Sequence, residues 1–357
     1  MTDRSKNLLK RLSEAHGIAG HEGEIRAIVE ERLAGVGTVH RDRHGGIAVE
    51  KRGSADRPRI LLAGHMDEIG FVVKTITDEG FIYMIPVGGW IDQVLLSQRF
   101  VVKGSKGKVL AVLGAKPPHL LQGDKRNEMV KARDMFLDVG ASSKDEVTGE
   151  LGILPGDPIV PLSAFEEMAG GKFLLGKAWD DRVGVALAVE TALSVGDDHP
   201  NTIFAAGTVR EEKSMVGAQV AAWCTEPDIA IILEVGITGG VPGVEPKEAT
   251  EKCGLGVSII FTEGGAVPSP ELRAFARKVA EEEGIPFQDS FYEFGGSDGA
   301  AVHRHKIGVP YILLCVPARY IHTHNQLIAT SDYEAALSLC VALCRRIDAK
   351  VLEDVLG

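Results

Sequence analysis

Five short segments of this chain carry residue types that bind metals or move protons. The first is Gly64-His65-Met66-Asp67-Glu68, which follows the apolar run Arg59 to Gly64. A His in that place sits at a strand's carboxyl end, where α/β sheets present their ligand sites. One imidazole nitrogen can bind a metal while a carboxylate such as Asp67 orients the ring. Taken alone, His65 reads equally well as an ordinary structural residue.

The second segment is Trp179-Asp180-Asp181-Arg182, ahead of an apolar helix. Two acids here can be a helix cap, or the work can be split, with one Asp capping and the other binding a metal. The third is Val209-Arg210-Glu211-Glu212, after the apolar strand Ile203 to Val209. Adjacent carboxylates repel, and a cation would offset that. One acid can then be a ligand and the other a proton shuttle; a solvated acidic loop is the alternative. The fourth is Glu234, which closes the apolar run Ile231-Ile232-Leu233. Buried carboxylates are rare without a partner. The fifth is Ile321-His322-Thr323-His324, after Tyr320. Together, the segments offer two His and three carboxylates, a ligand set suited to a dinuclear zinc or cobalt site, with manganese tolerated. Two cations about 3.5–4 Å apart can polarise a carbonyl, and a fourth carboxylate remains over for acid–base work.

These residues need a scaffold that delivers strand ends to one place. Leu8, Leu9 and Leu12, then Ile25, Val29 and Leu33, mark two N-terminal helices. A hairpin over Thr38 to Lys51 turns at His44-Gly45-Gly46. From about Gly70 to Pro161, short apolar or alternating runs are separated by Gly and Pro, as expected of a small all-β barrel or sandwich. Segment 116–131 is polar and irregular and reads as a mobile loop. From Gly176 helices and strands alternate: helix 181–195, strand 202–208, helix 214–223, strands 229–235 and 256–262, helices 269–283 and 298–305, strand 309–316 and a last helix 331–352. That alternation predicts an α/β sandwich with helices on both sheet faces. Residues 1–68 and 165–357 would form one discontinuous domain, with 69–164 inserted.

The 357 residues suffice for about two domains of roughly 150 each. A formal net charge of −11 argues against a nucleic-acid partner, which needs a basic surface. The five cysteines are scattered, with no CxxC pair, and read as reduced core thiols in a reducing compartment. The charged N-terminus has no signal-peptide core, and the apolar runs are too short to cross a bilayer. The expectation is a cytoplasmic protein without a membrane anchor.

The ordered series GHMDEIGFVV, GAKPPHLL, FLDVGASSKDE, GILPGD, WDDRVG, TVREE, GGVPG, GGSDGAA and YIHTH resembles the M42 family of metallo-aminopeptidases, the glutamyl and tetrahedral aminopeptidase group. The similarity covers essentially the whole chain. It implies a catalytic mixed-sheet α/β/α sandwich interrupted by a β-barrel dimerisation domain. By motif, His65 and Glu234 would bind one metal, Glu212 and His322 the other, and Asp180 would bridge them. Glu211 would be the general base, Asp67 would orient His65, and a metal-bound hydroxide would attack the first peptide bond. Gly296, Ser297 and Asp298 match a loop near the substrate pocket. The resemblance also implies a homo-oligomer, dimeric through the β domain and assembled into a tetrahedral dodecamer. Three positions depart from the family pattern: Glu234 in place of Asp, Lys213-Ser214-Met215 in place of a more apolar stretch, and Ser297 in place of Thr.

Three other readings stand beside this one. An endoglucanase-like glycoside hydrolase needs two carboxylates about a sugar ring, and an aromatic content of 6% offers it little stacking surface. Another metallo-amidohydrolase, such as a deacylase, would use the same ligands. A degenerate, non-catalytic family member would not need them.

Overall fold

The computed structural model describes residues 1–357 except 122 and 124–127, so the middle of the polar segment 116–131 lies outside the described residues. Among the described residues an eleven-stranded mixed sheet forms the main body. Strands Thr202–Thr208, Arg59–His65, Ile229–Ile237 and Tyr311–Arg319 lie side by side and parallel at its centre. Antiparallel strands flank them, with Ile47–Arg52 and Thr38–Arg41 on one side and Gln326–Ala329, Phe173–Gly176 and Glu166–Met168 on the other. Val257–Ile260 pairs with Tyr311–Arg319 and carries Phe287–Ser290.

The central strands read as unbroken apolar runs because both their faces are covered. Ile60, Leu62, Ile203, Ala205, Ile231 and Leu233 face one core, shared with helices Asp3–Glu14, Gly23–Arg32, Trp179–Ser194, Pro270–Glu283 and Thr330–Arg346. Their neighbours Leu61, Ala63, Phe204, Ala206 and Ile232 face the other, with Ala218 and Ala222 of helix Val216–Thr225 and Val302. Helix Trp179–Ser194 is buried along nearly its whole length. It lies so close to the sheet that a Cβ on Gly64 would overlap the backbone of Gly184 and Val185. Glycine at both positions is therefore a requirement of close approach.

Between Arg59–His65 and Trp179–Ser194, six strands close into a barrel: Gly70–Ile76, Ile82–Val87, Phe136–Asp138, Gly107–Gly114, Arg99–Gly104 and Pro158–Pro161. Phe71, Phe100, Leu113, Leu137 and Ile159 fill it. The fold is the expected mixed-sheet α/β/α sandwich with a β-barrel within it.

Three helices depart from the expected spans. The last one breaks into Thr330–Arg346 and Ala349–Leu356, because the Asp348 carboxylate caps a new helix by accepting from Val351 N. The helix expected from 214 starts at Val216, after Met215 in a left-handed turn (φ 54°). The one expected over 298–305 is a single turn, Gly299–Val302. Cys224 is exposed rather than core, whereas Cys315, Cys340 and Cys344 are buried; all five thiols are free. Among the described residues no helix is long and apolar enough to cross a membrane.

Candidate metal centre

Parallel pairing puts the carboxyl ends of the four central strands on one edge of the sheet, and the five segments gather there. Thr208 is in register with His65, and Glu234 with Cys315. His65 ends its strand. Glu211 and Glu212 follow Thr208–Val209, and His322 follows Arg319 by a tight turn. Asp180 and Asp181 open helix Trp179–Ser194 with non-helical backbone. Ala178, Arg210, Tyr320 and His322 have left-handed backbone, with φ of 56°, 60°, 62° and 58°. Such conformations cost about 1–3 kcal/mol each and gather where function fixes the geometry. Here each is a ligand candidate or within two residues of one.

The Asp180 carboxylate stands between the two imidazoles. Its Oδ1 is 3.0 Å from His65 Nε2, and its Oδ2 is 3.2 Å from His322 Nε2. Glu234 Oε1 approaches His65 Nε2 at 3.5 Å and Glu211 Oε2 at 3.9 Å. Glu212 Oε1 approaches His322 Nε2 at 3.6 Å. The donors thus divide into two groups, each able to hold a cation: His65, Asp181 and Glu234, and Asp180, Glu212 and His322. Glu212 Oε1 is buried without a hydrogen-bond partner, as an atom awaiting a cation would be.

Charges in the cluster confirm a deficit of positive charge. Burial pushes the Glu212 carboxyl up to about 8, aided by Asp180. Burial also drives Glu211 and Glu234 well above the carboxylate range, with Asp298 adding at Glu211 and Asp181 at Glu234. Burial disfavours charge on His322, yet Asp180 and Glu212 raise it to about 9. His65 rises for the same reason: burial opposes its charge, but Glu234 and Asp180 outweigh burial. Glu211, Glu212, Glu234 and the two imidazoles hold protons they would ordinarily release, while the Asp180 carboxyl, against both imidazoles, is held below the usual carboxylate range although burial opposes this; divalent cations held here would replace those protons. Imidazole plus carboxylate donors in two groups, with Asp180 facing both imidazoles, fit two such ions.

The residues around the ligands fix their aim. His65 Nδ1 is 3.0 Å from the backbone carbonyl of Asp67, which leaves Nε2 facing the cluster. The Asp67 carboxylate is also close, its Oδ1 3.6 Å from His65 Nδ1, and it accepts the backbone N–H groups of Glu211 (3.0 Å) and Glu212 (3.1 Å). Main chain and side chain of Asp67 both face His65 Nδ1, and the side chain also anchors the two glutamates. Asp181 takes the capping role. Its Oδ1 caps the helix by accepting from Gly184 N (2.9 Å), and its Oδ2 accepts from His65 N (3.0 Å). Gln326 Oε1 accepts from Asp180 N at 3.0 Å; a lone Gln in a short strand has no pattern by which sequence alone could single it out.

His324, two residues beyond His322, does not compete for the site. It packs against Phe100 (ring centroids 4.7 Å) and Trp90 (5.4 Å) of the barrel segment. Lys213 is exposed and points outward. The barrel also touches the second donor group. A Cβ on Gly88 (φ 80°) would lie 2.8 Å from Glu212 Oε2, and one on Gly89 3.2 Å from His322 Nδ1.

A cavity of about 170 Å³ opens over both donor groups. Gly296 and Ser297 are part of its wall. Asp298 is not: it lies behind, buried, and accepts a hydrogen bond from the Thr208 hydroxyl. Ser297 donates to Glu263 at 3.1 Å.

The sequence model described as M42 glutamyl aminopeptidase matches residues 45–339, and one described as AMPT matches residues 3–28. The TET aminopeptidase of the marine sediment archaeon Thaumarchaeota archaeon SCGC AB-539-E09 is 41% identical, with a TM-score of 0.96 over 99% of each chain. The glutamyl aminopeptidase of Lactococcus lactis subsp. cremoris is 30% identical over 97% of this chain and 98% of its own. The Pyrococcus horikoshii TET1 peptidase, which can assemble into a tetrahedron or a large octahedral shell, is 30% identical, with a TM-score of 0.87 over 96% of this chain and 100% of its own.

Proposed function

The chain belongs to the M42 glutamyl aminopeptidase family and is a peptide hydrolase; we propose that it removes N-terminal residues from peptides at a centre of two divalent cations. The observation that carries this is the Asp180 carboxylate, with one oxygen toward each imidazole. His65 and Glu234 would hold one cation, Glu212 and His322 the other, and Asp180 both. Zinc or cobalt suits this donor set, and manganese is tolerated. Two cations held there would supply Lewis acidity to the scissile carbonyl and make water more acidic.

The remaining work falls to the chain itself. Glu211 lies beside the ligands with its carboxyl oxygens at the cavity and its backbone pinned by Asp67. It takes the proton of the attacking water on Oε and delivers it to the leaving amine. The cavity walls restrict bulk water. The substrate's free α-amine, a cation, is drawn to the acidic floor, which favours cleavage at the first peptide bond. A sugar-hydrolase reading would leave both imidazoles without a role.

Assembly extends the proposal. Residues 69–164 are read as a unit inserted into a catalytic domain of 1–68 and 165–357. A dimer would form through that barrel, and dimers would build a tetrahedral dodecamer, as tetrahedral assembly of the Pyrococcus horikoshii TET1 peptidase suggests. Five free thiols suit a cytoplasmic setting.

The test is a panel of aminoacyl chromophores, free and N-acetylated, on metal-stripped protein refilled with one metal at a time. Hydrolysis of free-amine substrates that returns with zinc or cobalt is expected. Equal turnover of N-acetylated substrates would refute the aminopeptidase reading. Native mass spectrometry gives the assembly.

A further inference from the structure

We propose that the side-chain pocket of this site accepts uncharged, apolar N-terminal residues (leucine, methionine, phenylalanine) and rejects both acidic and basic ones; this rests on the aminopeptidase reading above. The cavity has two unlike halves. Its floor is the ligand cluster. Its far wall is Val235, Ile237, Tyr292, Phe294 and Ile321, closed by the backbone of Gly295-Gly296.

Among the described residues, no Lys or Arg lines this cavity. Lys177 and Arg182 are bonded to Glu68, and Arg319 lies over the Phe173 ring. A glutamate side chain would thus lose its water without gaining a cation. Among the described residues the far wall carries no carboxylate for a basic side chain either; Glu263, behind Gly296, accepts from Ser297 and Tyr311. The acids that line the cavity belong to the floor, where the metals would engage them. The wall's hydroxyls have partners of their own: Tyr292 donates to the Val235 carbonyl at 3.3 Å, and Ser297 to Glu263 at 3.1 Å. A charge buried without a partner is strongly disfavoured, and apolar contact is favoured. The wall therefore selects against charge of either sign, and the acidic preference in the family's descriptive name does not carry over to this chain.

Ile237 offers the decisive handle. It lies at the cavity mouth, 45% exposed, so a charged residue there leaves the core intact. The experiment compares kcat/KM for leucyl, phenylalanyl, glutamyl and lysyl chromophores in the metal-loaded wild type, Ile237→Arg and Ile237→Glu. It also follows the thermal shift given by free L-leucine, L-glutamate and L-lysine. Leucyl and phenylalanyl substrates should exceed glutamyl and lysyl ones by about tenfold or more, and free leucine should stabilise most. Ile237→Arg should raise the glutamyl-to-leucyl ratio, and Ile237→Glu the lysyl-to-leucyl ratio, each by about tenfold. A wild type that prefers glutamyl or lysyl substrates overturns the proposal. So do ratios unmoved in both variants while leucyl turnover persists. Absence of turnover on every substrate would instead refute the aminopeptidase reading. The thermal shifts then judge the pocket alone: equal shifts from leucine and glutamate count against it.

Discussion

Lys177 donates from Nζ to both carboxylate oxygens of Glu68, at 2.7 Å each, and both side chains are almost fully buried. Arg182 adds a third bond to Glu68 at 3.0 Å, and the two cations also hold the carbonyls of Leu12, Ala15 and Gly17. Glu68 lies three residues past His65, and Lys177 and Arg182 bracket Asp180. The N-terminal segment and both arms of the metal centre thus meet in one ionic knot. Lys177→Met should cost up to about 3–5 kcal/mol, because the buried Glu68 charge is left with Arg182 alone as its partner. A fall in the urea midpoint at fixed protein concentration checks this; an unchanged midpoint would remove the knot from the stability account.

Asp180→Asn keeps the shape of the side chain and removes the charge that faces both imidazoles. The wild type should bind two divalent ions per subunit and the variant fewer, by elemental analysis after desalting. Saturating metal at ~1,000 times its Kd adds about 4 kcal/mol of stability. The melting shift on adding zinc should therefore shrink in the variant.

Glu211→Gln should lower kcat by about 10²–10⁴-fold, as expected when a general base is lost. Metal content should not change, since the ligands proposed are other residues. Loss of metal together with activity would instead make Glu211 a ligand.

His16 is buried, and burial, with Lys177 adding, lowers its pKa to about 4 from an ordinary 6.5. The folded state therefore favours the neutral ring. Above pH 6.5 that ring costs nothing. Between pH 6.5 and 4 the unfolded chain takes up a proton that the folded chain refuses, so stability falls as pH falls. His16→Gln should flatten the denaturation free energy over that window and leave it little changed at pH 8.

Gly64→Ala places a methyl into the backbone of Gly184 and Val185. Overpacking of this kind costs about 1–3 kcal/mol. Because His65 is the next residue, activity should drop further than stability. Comparing melting temperature with kcat/KM separates the two effects.

Much of this was legible in the sequence, for a physical reason. Strands buried on both faces read as unbroken apolar runs, so an ionisable residue at the end of one, such as His65, or within one, such as Glu234, stands out. The barrel was legible from its Gly and Pro punctuation. Short strands such as Phe287–Ser290 and Gln326–Ala329 were not, being four residues each with little apolar pattern. The break at Ile347-Asp348 was hidden because apolar periodicity runs across it, and only the Asp348 side chain shows the cap. The Glu68–Lys177–Arg182 knot joins residues more than a hundred positions apart, beyond the reach of any local pattern. Asp67 was legible as a neighbour of His65, but the part of its carbonyl, and the anchoring of Glu211 and Glu212 by its carboxylate, were not.

The shared Asp180 carboxylate has a thermodynamic consequence. Its oxygens are two ends of one delocalised charge, and that charge can be neutralised only once. On the two-cation proposal, an ion settling beside His65 would withdraw electron density from the oxygen that faces His322, and the reverse would hold equally. The two occupancies would then be linked by a single coupling free energy, the same whichever fills first. A titration should resolve a tight step and a weaker one, and a metal that weakens either should weaken its neighbour by the same factor.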